Sequence, residues 1–226
     1  MKKENAEKLK IILNKLKLLA NPENAKGMAR FGIKPKNAYG ISIPNLRKIA
    51  KETGKNHELA EKLWSSGIHE AKILAGMIDD PLLVTGKQMN EWIKDFDSWD
   101  VCDEVCLNLF IKAPCAYGKA MEWTTRKKEF EKRAGFALMA TLAWRDKNAE
   151  NKKFLRFFPL IEKMATDERN YVKKAVNWAL RQTGKRNETL KKEAIKTAQK
   201  IQKINSKSAK WIANDAIREL RNKKFK

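Results

Sequence analysis

Apolar residues recur along this chain with the period of a helix. Leu9, Ile12, Leu13 and Leu16 fall at i, i+3, i+4 and i+7, which puts them on one helix face. The few glycines and prolines fall between such stretches and punctuate them. Asn21-Pro22-Glu23 reads as the N-cap, first-position proline and first-turn acid of a second helix. A loop is expected around Gly32 to Gly40. Ser42-Ile43-Pro44 then begins a helix that ends near Gly54; Asn56 caps the next, and Gly67 ends it. Pro81, Pro114 and Gly184 close later segments. No two-residue turn joins alternating apolar strands, so the pattern predicts roughly eleven or twelve helices and no sheet.

The helices repeat. His69-Glu70-Ala71-Lys72-Ile73-Leu74-Ala75 resembles Lys132-Arg133-Ala134-Gly135-Phe136-Ala137, and both resemble Lys173-Lys174-Ala175-Val176-Asn177-Trp178-Ala179. Ala209-Lys210-Trp211-Ile212-Ala213 is a weaker copy, and Asp103-Glu104-Val105-Cys106 falls between the first two. The positions matching Glu70 are then Asp103, Arg133 and Lys174, at spacings of 33, 30 and 41 residues. That is the period of solenoids built from helical hairpins. Small residues after each marked position let paired helices approach closely. Matching positions of a solenoid line one surface, normally the concave one, so Asp103, Arg133 and Lys174 are expected to face a common groove.

Length and composition narrow the class. The 226 residues are expected to form a single α-helical domain over 1–226. At 42% hydrophobic residues the chain can build a real core. Its longest apolar run, Ala134 to Trp144, is far shorter than a membrane span. The start, Met1-Lys2-Lys3-Glu4-Asn5, leads into an amphipathic pattern and not a signal peptide's apolar stretch, so a cytoplasmic protein is expected. Cys102, Cys106 and Cys115 are an odd number, which argues against a disulfide framework. With only His57 and His69 as imidazoles, buried reduced thiols fit better than a metal site.

Charge changes the picture most. Forty-nine Lys and Arg against 27 Asp and Glu give a formal net charge of +22, a field that attracts polyanions. An anionic membrane would call for cations concentrated on one amphipathic helix. Here they run from Lys2 to Lys226, which favours nucleic acid, DNA or RNA. Lys72, Lys132, Arg133, Lys173, Lys174, Lys207 and Lys210 recur near the starts of the repeated helices, as a phosphate-lined groove requires. The plainer reading is that these side chains solvate the groove rim.

Seven tryptophans are present. Trp64, Trp92, Trp123 and Trp144 sit in apolar patterns and read as core. Trp178 lies four residues after Lys174, and Trp99 four before Asp103, so each shares a helix face with a marked position. Trp211 shows a similar polar setting. Asp103 falls one turn into a helix capped by Asp97 or Ser98. In a basic groove its carboxylate would repel phosphate, so it needs a partner such as Arg133 or a chemical use. A carboxylate beside a sugar can stabilise an oxocarbenium-like transition state or orient water against it. Indole faces attract cations. One carboxylate with aromatics therefore suits departure of a positively charged purine, whose charge also makes it a good leaving group.

At these residues the sequence resembles a known family. Trp99-Asp100-Val101-Cys102-Asp103, Lys132-Arg133-Ala134 and Lys174-Ala175-Val176-Asn177-Trp178-Ala179-Leu180-Arg181 look like the AlkD-type DNA glycosylases, HEAT-like-repeat enzymes of DNA alkylation repair. Met28-Ala29-Arg30 and Gly40-Ile41-Ser42-Ile43-Pro44-Asn45-Leu46-Arg47 resemble the family's N-terminal region. The resemblance implies an all-α HEAT-like solenoid with a basic concave groove that cradles duplex DNA. It implies hydrolytic excision of cationic N3- and N7-alkylated purines without metal or organic cofactor, and without a base-flipping pocket. It carries Asp103 over as the catalytic carboxylate and Trp99 and Trp178 as contacts to the damaged nucleotide. Arg133 becomes a backbone contact, with Lys132, Lys173, Lys174, Lys72 and Arg181 as further DNA-binding cations. The expected protein is a monomer of the prokaryotic cytosol or nucleoid. Ser98 stands where better-known members carry a second tryptophan, and Cys102 stands beside the aspartate; both bear on substrate range.

Two other readings compete. A non-catalytic helical-repeat module would bind DNA or RNA and have no use for a carboxylate at Asp103. A protein-binding scaffold would have no use for the net charge.

Overall fold

The computed structural model describes residues 2–33 and 37–225, without the side chains of residues 2 and 3. The middle of the loop expected at Gly32–Gly40 lies outside them. Among the described residues there are fourteen α-helices, three short 3-10 turns and no strand. No helix among them is long and apolar enough to cross a membrane. The chain divides into two compact units, residues 1–114 and 115–226.

The first unit holds α1 (Lys2–Leu18), α2 (Pro22–Met28), α3 (Ile43–Thr53), α4 (His57–Ser65), α5 (His69–Ile78), α6 (Gly86–Trp92) and α7 (Trp99–Asn108). Ile12 and Leu16 of α1 are buried, as the apolar spacing requires. Asn21 caps α2 by accepting the Asn24 N–H at 3.0 Å, and Asn56 caps α4 by accepting that of Leu59 at 3.0 Å. Gly54 and Gly67 stop α3 and α4 with positive φ. Helix α5 packs against α3, α4 and α7. The aromatic core stacks Trp64 on Trp92 at 4.0 Å, with Phe96 edge-on to Trp64.

Glu70, on α5, is buried and does a structural job. Its carboxylate accepts the backbone N–H groups of Tyr39, Gly40 and Ile41 at 2.6–3.3 Å, tying the approach to α3 onto α5. Gly40 sits there at φ 74°, where a Cβ would lie 2.3 Å from the Asn21 carbonyl oxygen. Glu70 is the second residue of α5, whereas Asp103 is the fifth of α7. The match between them in the repeat therefore does not hold at the level of helix position.

The second unit holds α8 (Ala116–Trp123), α9 (Glu129–Arg145), α10 (Asn151–Leu155), α11 (Phe157–Met164), α12 (Asn170–Gly184), α13 (Glu188–Gln202) and α14 (Lys207–Asn222). Consecutive helices pair as α8 with α9, α11 with α12 and α13 with α14. Helix α12 packs on both α9 and α14, while α13 covers α10 and α11. The result is two layers of stacked hairpins. Helix α9 is central, and every residue from Arg133 to Ala143 is buried. Gly135 is needed there, because a Cβ would stand 2.9 Å from the Ala120 oxygen and the Thr124 nitrogen of the α8 segment.

Two expectations are corrected. The helices outnumber the expected eleven or twelve, in part because α10 and α11 are separate. Pro159 has no N–H for the Leu155 carbonyl four residues back, so a continuous helix breaks at Arg156. Trp144 is not core: it is 40% exposed at the end of α9, with the Arg145 guanidinium 3.7 Å from its ring centroid. Trp64, Trp92 and Trp123 are buried, as are Cys102 and Cys106, which form no disulfide; Cys115 is half-buried.

Candidate nucleic-acid interface

In the first unit the candidate residues sit at the start of α7. Ser98 is the N-cap residue in extended conformation, although its side chain makes no cap bond. Val101, Cys102, Val105 and Cys106 turn inward and are buried. That leaves Trp99 and Asp103, one turn apart on the same side and both half-buried. The Trp99 indole N–H donates to the Phe31 carbonyl at 3.0 Å, which fixes the ring.

Behind them is a buried pair that sequence spacing gave no hint of. His69 Nε2 lies 2.8 Å from Asp100 Oδ2; the imidazole is 2% and the carboxylate side chain 15% exposed. Burial works against the charged imidazole, but the hydrogen bond and charge of Asp100, with Glu70 and Asp97, raise its pKa above the ordinary value. For Asp100, burial would raise the pKa, yet the His69 hydrogen bond and charge hold it below the ordinary carboxylate value. The pair ties the second residue of α7 to the first residue of α5. Residue type carried no signal for it, because His69 lies between Ile68 and Glu70 with no apolar run around it.

In the second unit the candidate cations differ in availability. Arg133 is buried, and its Nη1 donates to the Tyr171 carbonyl of α12 at 2.8 Å. Lys132 is half-buried and pairs with Asp167 at 3.1 Å. Burial would raise the Asp167 pKa, but Arg169 and Lys132 bring it down to about 2, so this acid stays ionised. Arg181 is held by Glu219 and lies 3.5 Å from Asp215, both on α14. Lys173 is half-buried, with Nζ 5.3 Å from the Trp211 ring. Lys174 is exposed, and Trp178, one turn further along α12, is half-buried.

Lys72, in the first unit, is 8% exposed and donates to the Asp95 carbonyl at 2.9 Å. The structure gives it an internal partner in place of the expected open phosphate site. Within each unit, then, the geometry joins Trp99 with Asp103, and sets Lys174 and Trp178 on one side of α12. Trp211 and the exposed Lys207 and Lys210 add to the solvent-facing set on α14.

Comparison with curated proteins returns no match. Among solved structures, one superposes with a TM-score of 0.77 at 20% identity, covering 93% of this chain and 94% of the other. It represents "a new family of proteins related to the HEAT-like repeat DNA glycosylases with affinity for branched DNA structures". A designed armadillo repeat protein gives a TM-score of 0.36 at 14% identity, covering 77% of this chain and 91% of that one. The first likeness establishes a HEAT-like repeat fold. The family described as DNA alkylation repair enzyme matches residues 12–220, nearly the whole length, and the chain belongs to that family.

Proposed function

We propose that this protein is a DNA glycosylase that removes cationic N3- and N7-alkylated purines from duplex DNA by hydrolysing the N-glycosidic bond. The observation that carries this reading is the pairing of a half-exposed carboxylate, Asp103, with a half-exposed indole, Trp99, one turn apart on α7. A site that only gripped phosphate would gain nothing from the acid.

The chemistry is a displacement at the sugar C1′. The C1′–N bond breaks with its electron pair passing to the cationic base, which leaves neutral. Asp103 faces the positive charge that develops on the sugar, or orients the water that forms the new C1′–O bond; the water's proton is released to solvent. The indole face of Trp99 stabilises the same charge, and the resemblance alone extends this role to Trp178. Nothing in this step calls for a metal or organic cofactor. Lys173 and Lys174 contact the DNA backbone. Lys132, Arg133 and Arg181 contribute their remaining donors from within ion pairs and hydrogen bonds.

A second reading keeps the DNA and drops the chemistry. The solved relative is described by its affinity for branched DNA, and a shared fold does not transfer catalysis.

Asp103→Asn separates the two. Single-turnover excision from a duplex containing N7-methylguanine should fall about 100- to 1000-fold, the scale of a lost preorganised electrostatic contact. Affinity for the same duplex should hold or rise. A variant that excises at the wild-type rate with saturating protein overturns the mechanism. A wild-type protein that binds the duplex and releases no base returns the second reading.

A further inference from the structure

Trp211 does not belong to the site just described. It is 41% exposed on α14, while Ser208, Ala209, Ile212 and Ala213 around it are buried. The indole therefore stands outside the core. Lys173 reaches across from α12 to within 5.3 Å of its ring centroid. Lys207 lies one turn before Trp211 on the same helix, and Lys207, Lys210 and Lys174 are all exposed.

Glu168 is one acid beside this patch, and it is occupied. It accepts the Ser206 hydroxyl at 2.9 Å and the Ser208 N–H at 3.1 Å, which closes the start of α14. Those hydrogen bonds hold its carboxyl below the ordinary range, and the charges of Lys173 and Lys207 add to the effect, which places both lysines in one local field. The patch is thus an outward indole with Lys173 against its ring and Lys207 one turn before it, while Asp215, one turn after it, is taken by Asn177 and Arg218.

We propose that Trp211, with Lys173, Lys207 and Lys210, is a docking surface for an unpaired stretch of DNA, such as the single-stranded arm of a fork. Bases inside a duplex already have both faces stacked, so an indole can take only a base that has left the stack. The lysines suit the phosphates on either side, and the Lys173 ammonium, on a flexible stem, can move from the ring to a phosphate. An anionic lipid surface would also accept a tryptophan among lysines. Membership of a DNA repair family favours DNA. The inference rests on the DNA-binding part of the proposed function and is independent of excision.

The test uses undamaged, fluorescently labelled DNA in two forms, a plain duplex and the same duplex carrying a single-stranded arm. Binding is read by anisotropy for the full chain and for Trp211→Leu and Trp211→Phe, each first checked by circular dichroism. The wild type should prefer the forked form. Trp211→Leu should weaken forked binding about 5- to 150-fold, the scale of one lost base–aromatic stack, with plain-duplex affinity unchanged. Trp211→Phe should retain most of the preference.

Equal losses on both DNAs, no loss on the fork, or a wild type without preference would each overturn the proposal. So would co-sedimentation with anionic phospholipid vesicles that depends on Trp211 while fork binding does not. If Trp211→Leu fails to fold, Lys207→Gln/Lys210→Gln decides: the salt slope for the forked DNA should become shallower by about 0.7 for each lost contact, and an unchanged slope overturns the idea. A wild type that prefers forks yet excises nothing would count against the glycosylase reading alone.

Discussion

Replacing His69 by Phe keeps an aromatic ring in place and removes the partner of Asp100. The imidazole and carboxylate meet at 2.8 Å, both largely out of water, and Asp100 Oδ1 already has no hydrogen-bond partner. The variant strands a carboxylate at the second residue of α7. Removing one member of a buried pair costs about 3–5 kcal/mol. For a chain of this size that corresponds to a fall in melting temperature of roughly 6–20 °C, at about 2–4 °C per kcal/mol. The pH dependence gives a sharper reading. His69 has a folded pKa above its ordinary 6.5, so its contribution is complete below 6.5 and is lost as pH rises through the raised folded value. Asp100 has a folded pKa below its ordinary 3.8, so its contribution is complete above 3.8 and is lost as pH falls through the depressed value. Both are whole between 3.8 and 6.5. Urea unfolding across pH should show wild-type stability declining on the alkaline side, and His69→Phe should lose this part of the decline. A variant that melts with the wild type and keeps the same alkaline slope would refute the argument.

Glu70→Ala should speed hydrogen exchange at the amides of Tyr39, Gly40 and Ile41, because one carboxylate accepts all three; unchanged protection would remove its clamping role. Gly135→Ala should cost about 1–3 kcal/mol in denaturant unfolding, since its Cβ meets backbone atoms of the neighbouring helix end and not a yielding side chain. Lys174→Gln should make the salt dependence of duplex binding shallower by about one unit, as loss of a phosphate contact does. The same change at Lys72 should leave the slope alone, because that ammonium is bonded to Asp95.

The starts of α2 and α4 were legible in the sequence because one side chain sets each, whereas the same kind of cap at Thr85, Asn187 and Ser206 went unread. Asn21 and Asn56 each bond a backbone N–H three residues on, so cause and signal lie within one turn. Helix faces were legible for the same reason, as Ile12 and Leu16 show. What was not legible depends on partners far along the chain. Arg133 is held by a backbone carbonyl 38 residues away, Lys72 by one 23 residues away, and His69 by a carboxylate at a separation of 31. A carbonyl leaves no mark on residue type, so a buried, satisfied cation reads the same as a free one. Trp144 shows the limit of composition. It ends an apolar run, but one residue past Ala143 the face of α9 turns to solvent.

Helix position explains why the candidate site was easier to find than to interpret. Asp103, Arg133, Lys174 and Trp211 are each the fifth residue of α7, α9, α12 and α14. The repeat fixes where the backbone carries such a residue, and this is the information that recurs in the sequence. It does not fix depth, since Arg133 is buried, Asp103 half-buried, and Lys174 and Trp211 exposed. Depth follows from what the next element places above each residue, as the Tyr171 carbonyl does for Arg133. A shared position therefore carries four different side chains: a half-buried acid, a buried cation, an exposed cation and an exposed indole. Fold membership is common to all four and cannot discriminate among them. Of these, only the acid runs against the attraction a +22 chain has for DNA. A residue that opposes the general binding force needs a partner or a chemical use, and Asp103→Asn separates the two: loss of a partner lowers stability and DNA binding together, whereas loss of the chemistry lowers excision alone.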